Sequence, residues 1–183
     1  MTLFILIAAL LAANQPSAPM PPQPPIPDAP LHIAAPGGEV VMATRNDILA
    51  YQHGGYAAVR RSGDLLFLSG VVVQRRPEEG TDVAAFKDEV RRAFTRIGQS
   101  LVAAGANFDD VIMINSFHVW SGPDFAGSRD DQFKAFEDVK EEFMHGPHPA
   151  WTAVGSSGLL GHNSIVEIQM IARAPQPARR RSK

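Results

Sequence analysis

The chain has no cysteine. That absence excludes a thiol nucleophile, disulfide cross-links and thiolate metal sites, and it leaves the redox compartment open. Neither sign of charge dominates: 17 Lys and Arg stand against 19 Asp and Glu, a formal net charge of −2. A basic footprint for nucleic acid is therefore missing. So are the usual catalytic loops. No Gly-rich phosphate loop follows a strand, and Gly155-Ser156-Ser157-Gly158 reads as a turn and not as a Gly-x-Ser-x-Gly elbow. His145, His148 and His162 lie in Gly- and Pro-rich stretches, without helical spacing or a carboxylate to complete a ligand set, so no metal is expected. What remains is 183 residues with 45% hydrophobic content, enough for one soluble globular domain with its own core.

Long hydrophobic runs are also lacking. The one at the start, MTLFILIAALLAA, is too short to cross a bilayer comfortably as a helix. With small residues after it, the stretch 1–18 reads as a signal peptide whose only positive charge is the amino terminus. The mature chain is then exported, periplasmic or secreted, with no stable membrane span. An uncleaved apolar tail or a start placed too early would instead leave it cytoplasmic. Eight prolines crowd residues 16–30, so 19–30 is a stiff, extended linker that cannot pack a core. The folded domain is expected over 31–174, followed by a basic, solvated tail at 175–183.

Within the domain, Val40–Ala43 reads as an edge strand, and Ser62-Gly63-Asp64 as a hairpin turn. Leu65–Val73 is a nearly continuous apolar strand broken by Ser69-Gly70, where a bulge or a close backbone approach is expected. Thr81 caps a helix whose residues Phe86, Val90, Phe94, Ile97 and Leu101 form an apolar stripe ended by Gly105. Val111–Trp120 follows as a strand. A second helix is carried by Phe133, Phe136, Val139 and Phe143. Trp151–Val154 and Ile165–Ile171 are the closing strands. Glu167 sits in the last of them, among apolar residues, where a carboxylate must find a partner, neutralise or border a cavity. The order β-β-α-β-α-β-β predicts an α+β mixed sheet with two helices packed on one face. Such a sheet leaves its other apolar face to be covered by further copies.

Two stretches carry a resemblance. Tyr56, Val59 and Gly63-Asp64-Leu65-Leu66-Phe67-x-Ser69-Gly70, and then Pro149-Ala150-Trp151 followed by Val166-Glu167-Ile168-x-x-Ile171-Ala172, resemble two signatures of the Rid (YjgF-like) family of reactive-intermediate deaminases. The resemblance covers about residues 56–173. It implies the Rid, chorismate-mutase-like fold, a homotrimer with small-molecule clefts between subunits, and hydrolysis of enamines or imines with ammonia release and no cofactor. Glu167 would position the hydrolytic water. Tyr56, Ser69 and Gly70 would line the cleft, with backbone groups at Trp151, Thr152 and Ala153 holding substrate and water. The family pattern has an arginine that grips the substrate carboxylate where this chain has Trp151. Tryptophan offers a flat face and one N–H instead of a bidentate guanidinium. Arg129 is one candidate to replace it. Two functions follow: a deaminase with altered specificity, for uncharged or aromatic imines, or a noncatalytic trimeric module that binds a small neutral or cationic ligand.

Overall fold

The computed structural model describes residues 26–174. The expected signal peptide at 1–18, most of the linker and the tail at 175–183 lie outside the described residues. The chain runs β1 (Leu31–Ala35), β2 (Gly38–Met42), α1 (Arg45–Leu49), a π-turn (Ala50–Gly54), β3 (Val59–Ser62), β4 (Leu65–Gln74), α2 (Val83–Ala103), a 3-10 turn (Phe108–Asp110), β5 (Val111–His118), α3 (Arg129–Phe143), β6 (Ala150–Gly155) and β7 (Ser164–Arg173). The strands form one seven-stranded sheet in the order β1-β2-β3-β4-β7-β5-β6. Every pairing is antiparallel except β5 with β6, which is parallel.

The α+β mixed sheet agrees with the sequence, but the expectation of two helices on one face does not hold: the described residues form three α-helices. The extra one, α1, is nucleated by a capping box. Thr44 accepts from the Asp47 backbone N–H, and the Asp47 carboxylate accepts from the Thr44 backbone N–H at 2.9 Å. At five residues it is too short to show an amphipathic stripe, and its Ile48 joins Val40 and Met42 in a small second core. Asp47 also pairs with Arg96 of α2 at 3.2 Å, which ties α1 to the main helical layer. Val40–Met42 belongs to β2, and β1 takes the edge position outside it.

Asp82, one residue later than Thr81, is the N-cap of α2, accepting from the Ala84 and Ala85 backbone N–H groups. Gly105, at φ +75°, ends the helix in the left-handed conformation. Phe86, Val90, Phe94, Ile97 and Leu101 of α2 and Phe136 and Val139 of α3 are buried in one core with Leu66, Leu68, Val73, Ile114, Val166, Ile168 and Met170 of the sheet. Each fully buried side chain of this size stabilises the fold by about 1.5–3 kcal/mol. The opposite sheet face stays open. Phe67 and Phe117 are partly exposed there, and Ile112 and Val154 are exposed as well. Val111 is buried and Ile112 exposed because the β5–β7 register shifts between Val111 and Met113, which inverts the alternation at the start of β5. Among the described residues no helix is long and apolar enough to cross a membrane.

Candidate functional site

Glu167 projects from the open face of β7. Its cross-strand neighbours are Phe117 on β5 and Val72 on β4. The β4 register slips between Leu68 and Val71, so Ser69 and Gly70 together oppose a single β7 residue, Gln169. This bulge lets the Glu167 side chain lie over Gly70. A Cβ at position 70 would come within 2.7 Å of the Glu167 carboxyl carbon, so glycine lets the Glu167 side chain keep this position, and a larger residue would push it aside. Gly70, Phe117, Ser156, Leu159, Glu167 and Gln169 line a shallow cleft of about 310 Å³. None of these is a cation.

Tyr56 and Ser69 reach Gly70 from another direction. Together with Asp47 and Arg96 they border a separate, narrow crevice. Ser69 Oγ donates to the Ala57 carbonyl at 2.6 Å, and its hydroxyl proton is thereby used in holding the chain before β3 against β4. Tyr56 is half exposed. Gly70 is the one residue common to the crevice and the Glu167 cleft.

Trp151 lies on the covered side of the sheet. Its register partner is Ile114, which is fully buried, and its indole stacks on Phe133 at 5.1 Å and Phe136 at 5.7 Å. Lys140 Nζ sits 5.0 Å over the same ring. The residues beside Trp151 alternate: Thr152 pairs with Asn115 on the open face, and Ala153 with Ser116 on the covered face. Since β5 separates β6 from β7, Thr152 is two strand spacings, about 10 Å, from the β7 row that carries Glu167. Within one chain, then, Glu167 and Gly70 meet, while Trp151, Thr152 and Ala153 stand apart from them. Arg129 is exposed on the first turn of α3, paired with Asp130 at 3.0 Å, and does not line the cleft.

A buried polar chain runs behind Trp151. Gln132 Nε2 donates to the Val119 carbonyl at 3.0 Å, which turns its Oε1 towards His118 Nδ1 at 3.1 Å. Nδ1 must therefore carry the proton, leaving Nε2 to accept from Ser116 Oγ at 2.9 Å. Ser116 Oγ in turn accepts from Trp151 Nε1–H, also at 2.9 Å. Every member is satisfied. Burial lowers the His118 pKa below the ordinary imidazole value, only partly opposed by Gln132, so the ring is held neutral. Trp120 stacks on it at 4.5 Å.

Glu89 is the residue that sequence reasoning passed over. It is 2% exposed on α2, and neither carboxylate oxygen has a hydrogen-bond partner among the described residues. Burial, followed by the neighbouring Glu79 charge, pushes its pKa up to about 7. Its place on the Phe86–Val90–Ala93 stripe was the available signal. No group of three or more His, Cys, Asp or Glu among the described residues could hold a metal ion.

Against known proteins, a family model described as "Endoribonuclease L-PSP" matches residues 48–174. RutC family protein YjgH of Escherichia coli K12 is 42% identical over 127 residues, which is 69% of this chain and 88% of that protein. A 2-iminobutanoate/2-iminopropanoate deaminase of Dermatophagoides farinae is 30% identical over 118 residues, 64% of this chain and 84% of that one. A solved structure of protein YjgH matches with a TM-score of 0.54 at 38% identity, covering 69% of this chain and 89% of the other.

Proposed function

The chain belongs to the RidA/YjgF-like family, and on that premise we propose that it is a cofactor-independent deaminase that hydrolyses enamine or imine intermediates lacking a strongly anionic group. The observation that carries this reading is the Glu167 carboxylate, held over the Gly70 bulge in a cleft without a cation. Glu167 orients a water and takes its proton as the oxygen adds to the C=N carbon. The C=N bond is then replaced by C=O, and both hydrogens of the water end on the nitrogen that leaves as ammonia.

No guanidinium lines the cleft to hold a substrate carboxylate, and the Trp151 indole is engaged on the covered face by Ser116, Phe133 and Phe136. The apolar rim of Phe117 and Leu159 suits a neutral or aromatic imine instead. Thr152, Ala153 and the Trp151 backbone lie on the edge strand β6, too far from Glu167 to share its cleft within one chain. They contribute to a site only if a second copy brings its edge strand to it. This geometry, with the open apolar face, supports a homotrimer with composite clefts. Light scattering on the purified protein checks the assembly, and a stable monomer at micromolar concentration would remove the composite site.

The catalytic test is ammonia release from imines generated in place by a partner enzyme. Neutral and aromatic imines are expected to be hydrolysed faster than their uncatalysed rate, and 2-aminoacrylate and 2-iminobutanoate only weakly. No acceleration with any imine, by a trimeric protein, would favour the noncatalytic binding module.

A further inference from the structure

Glu89 is an orphan carboxylate under a cavity. The cavity, about 460 Å³, opens between α2 and the end of β4, and its walls include Arg75, Arg76, Arg92, Arg96, Asn163 and Glu89 itself. Three of the four guanidinium groups are already committed. Arg75 pairs with Asp124 at 3.0 Å, Arg92 with Glu79 at 2.7 Å and Arg96 with Asp47 at 3.2 Å. The Arg76 guanidinium takes part in no hydrogen bond and no close ion pair among the described residues, although its backbone N–H donates to Glu79. The cavity therefore has one uncommitted cation on its wall and one uncommitted acid whose oxygens lie just beneath the wall surface, its other guanidinium groups being paired.

We propose that this cavity is a binding site, separate from the Glu167 cleft, for a small zwitterion of the amino-acid class, its carboxylate on Arg76 and its ammonium on Glu89.

The alternatives fit less well. An isolated buried carboxylate needs donors, and a plain anion such as phosphate would leave the ionised form of Glu89 without a cationic partner. A divalent cation would find one carboxylate among four arginines, where metal ions ask for several oxygen ligands. A molecule carrying both charges satisfies both groups at once. The cavity is within the usual size range of small-ligand sites. The charged groups that face Glu89 are Glu79, Arg92, Arg75 and Asp124, with Arg76 and Arg96 on the cavity wall. Because burial holds Glu89 largely protonated below neutrality, an ammonium that binds it displaces a proton. The site does not depend on the deaminase reading.

The experiment uses the full chain. Its Tm is measured with each standard L-amino acid at ~10 mM, and any that raises Tm is titrated by calorimetry at pH 6 and pH 8 in buffers of different ionisation enthalpy. The expected result is one or more amino acids that bind, with release of close to one proton at pH 6 and little at pH 8. Glu89→Gln and Arg76→Ala should each weaken binding about tenfold or more, and Glu89→Gln should abolish the proton release. Glu167→Gln should leave binding unchanged. The proposal is overturned if no amino acid shifts Tm. It is equally overturned if Glu89→Gln keeps both affinity and proton release, or if Glu167→Gln removes binding, which would place the ligand in the open cleft.

Discussion

The covered and open faces of the sheet treat polar side chains in opposite ways. Under α3, Trp151, Ser116, His118 and Gln132 form a chain in which each donor has its acceptor. On the other face Glu167 has Gly70 beneath it and solvent beside it, with no cation lining its cleft. Both residues come from one closing motif, yet cross-strand register sends Trp151 towards Ile114 and Glu167 towards Phe117. Polarity that is fully wired into a core is structural, and polarity left open to solvent is available for chemistry. Glu89 sharpens the contrast, since it is on the covered side but finds no hydrogen-bond partner among the described residues.

Substitutions can break this comparison. The largest effect is expected from Glu167→Gln, which should lower ammonia release by about a hundred- to ten-thousandfold while leaving Tm nearly unchanged, read by coupled assay and melting curve on the same sample. Loss of stability instead would show that the open-face carboxylate is structural after all. Trp151→Arg should do the reverse. It puts a charge between Phe133 and Phe136 and should cost about 3–5 kcal/mol in chemical denaturation. A variant that stays stable and gains activity on carboxylate imines would mean that position 151 reaches the cleft.

Next in size is Glu89→Gln. The unfolded chain releases this proton near 4.5 and the folded chain near about 7. Between those values the folded state binds more protons, so wild-type stability falls as pH rises through the window. The variant should therefore gain on wild type from little at pH 4.5 to roughly 3 kcal/mol at pH 8. A pH-independent difference would indicate that Glu89 titrates normally. The smallest effect belongs to Ser116→Ala, which leaves Trp151 Nε1–H and His118 Nε2 without their shared partner and should cost ~1–2 kcal/mol. His118 tilts the pH profile the other way. With its folded pKa depressed, the stability it contributes is present above the ordinary imidazole pKa and is lost as pH falls below it.

Much of this architecture was legible in the residues. The stripes of α2 and α3 and the apolar runs of β4 and β7 follow hydrophobic period directly. The Ser69-Gly70 interruption announced the β4 bulge. Helix α1 was not legible by period, because five residues make barely one turn, and only the Thr44–Asp47 capping box marks it. The direction of Trp151 could not be had from β6 alone. Alternation along a strand says which residues share a face, but which face is covered depends on the β5–β6 register. Glu89 was legible in principle, as an acid inside an apolar stripe. It was overlooked because the charges around it at Lys87, Asp88, Arg91 and Arg92 make a solvated face look like the simplest account.

The strand order has one more consequence, for the nascent chain. β7 is the last of the described strands to be made, yet it lies in the interior of the sheet, between β4 and β5. Until Arg173 has left the ribosome, β1–β4 and β5–β6 are two half-sheets with no strand between them, joined only through the helices packed on them, and the inner edges of β4 and β5 expose backbone donors and acceptors. The domain thus cannot assemble gradually from its amino end. A chain stopped before β7 is no smaller version of this protein but one whose sheet is left with two unmatched inner edges.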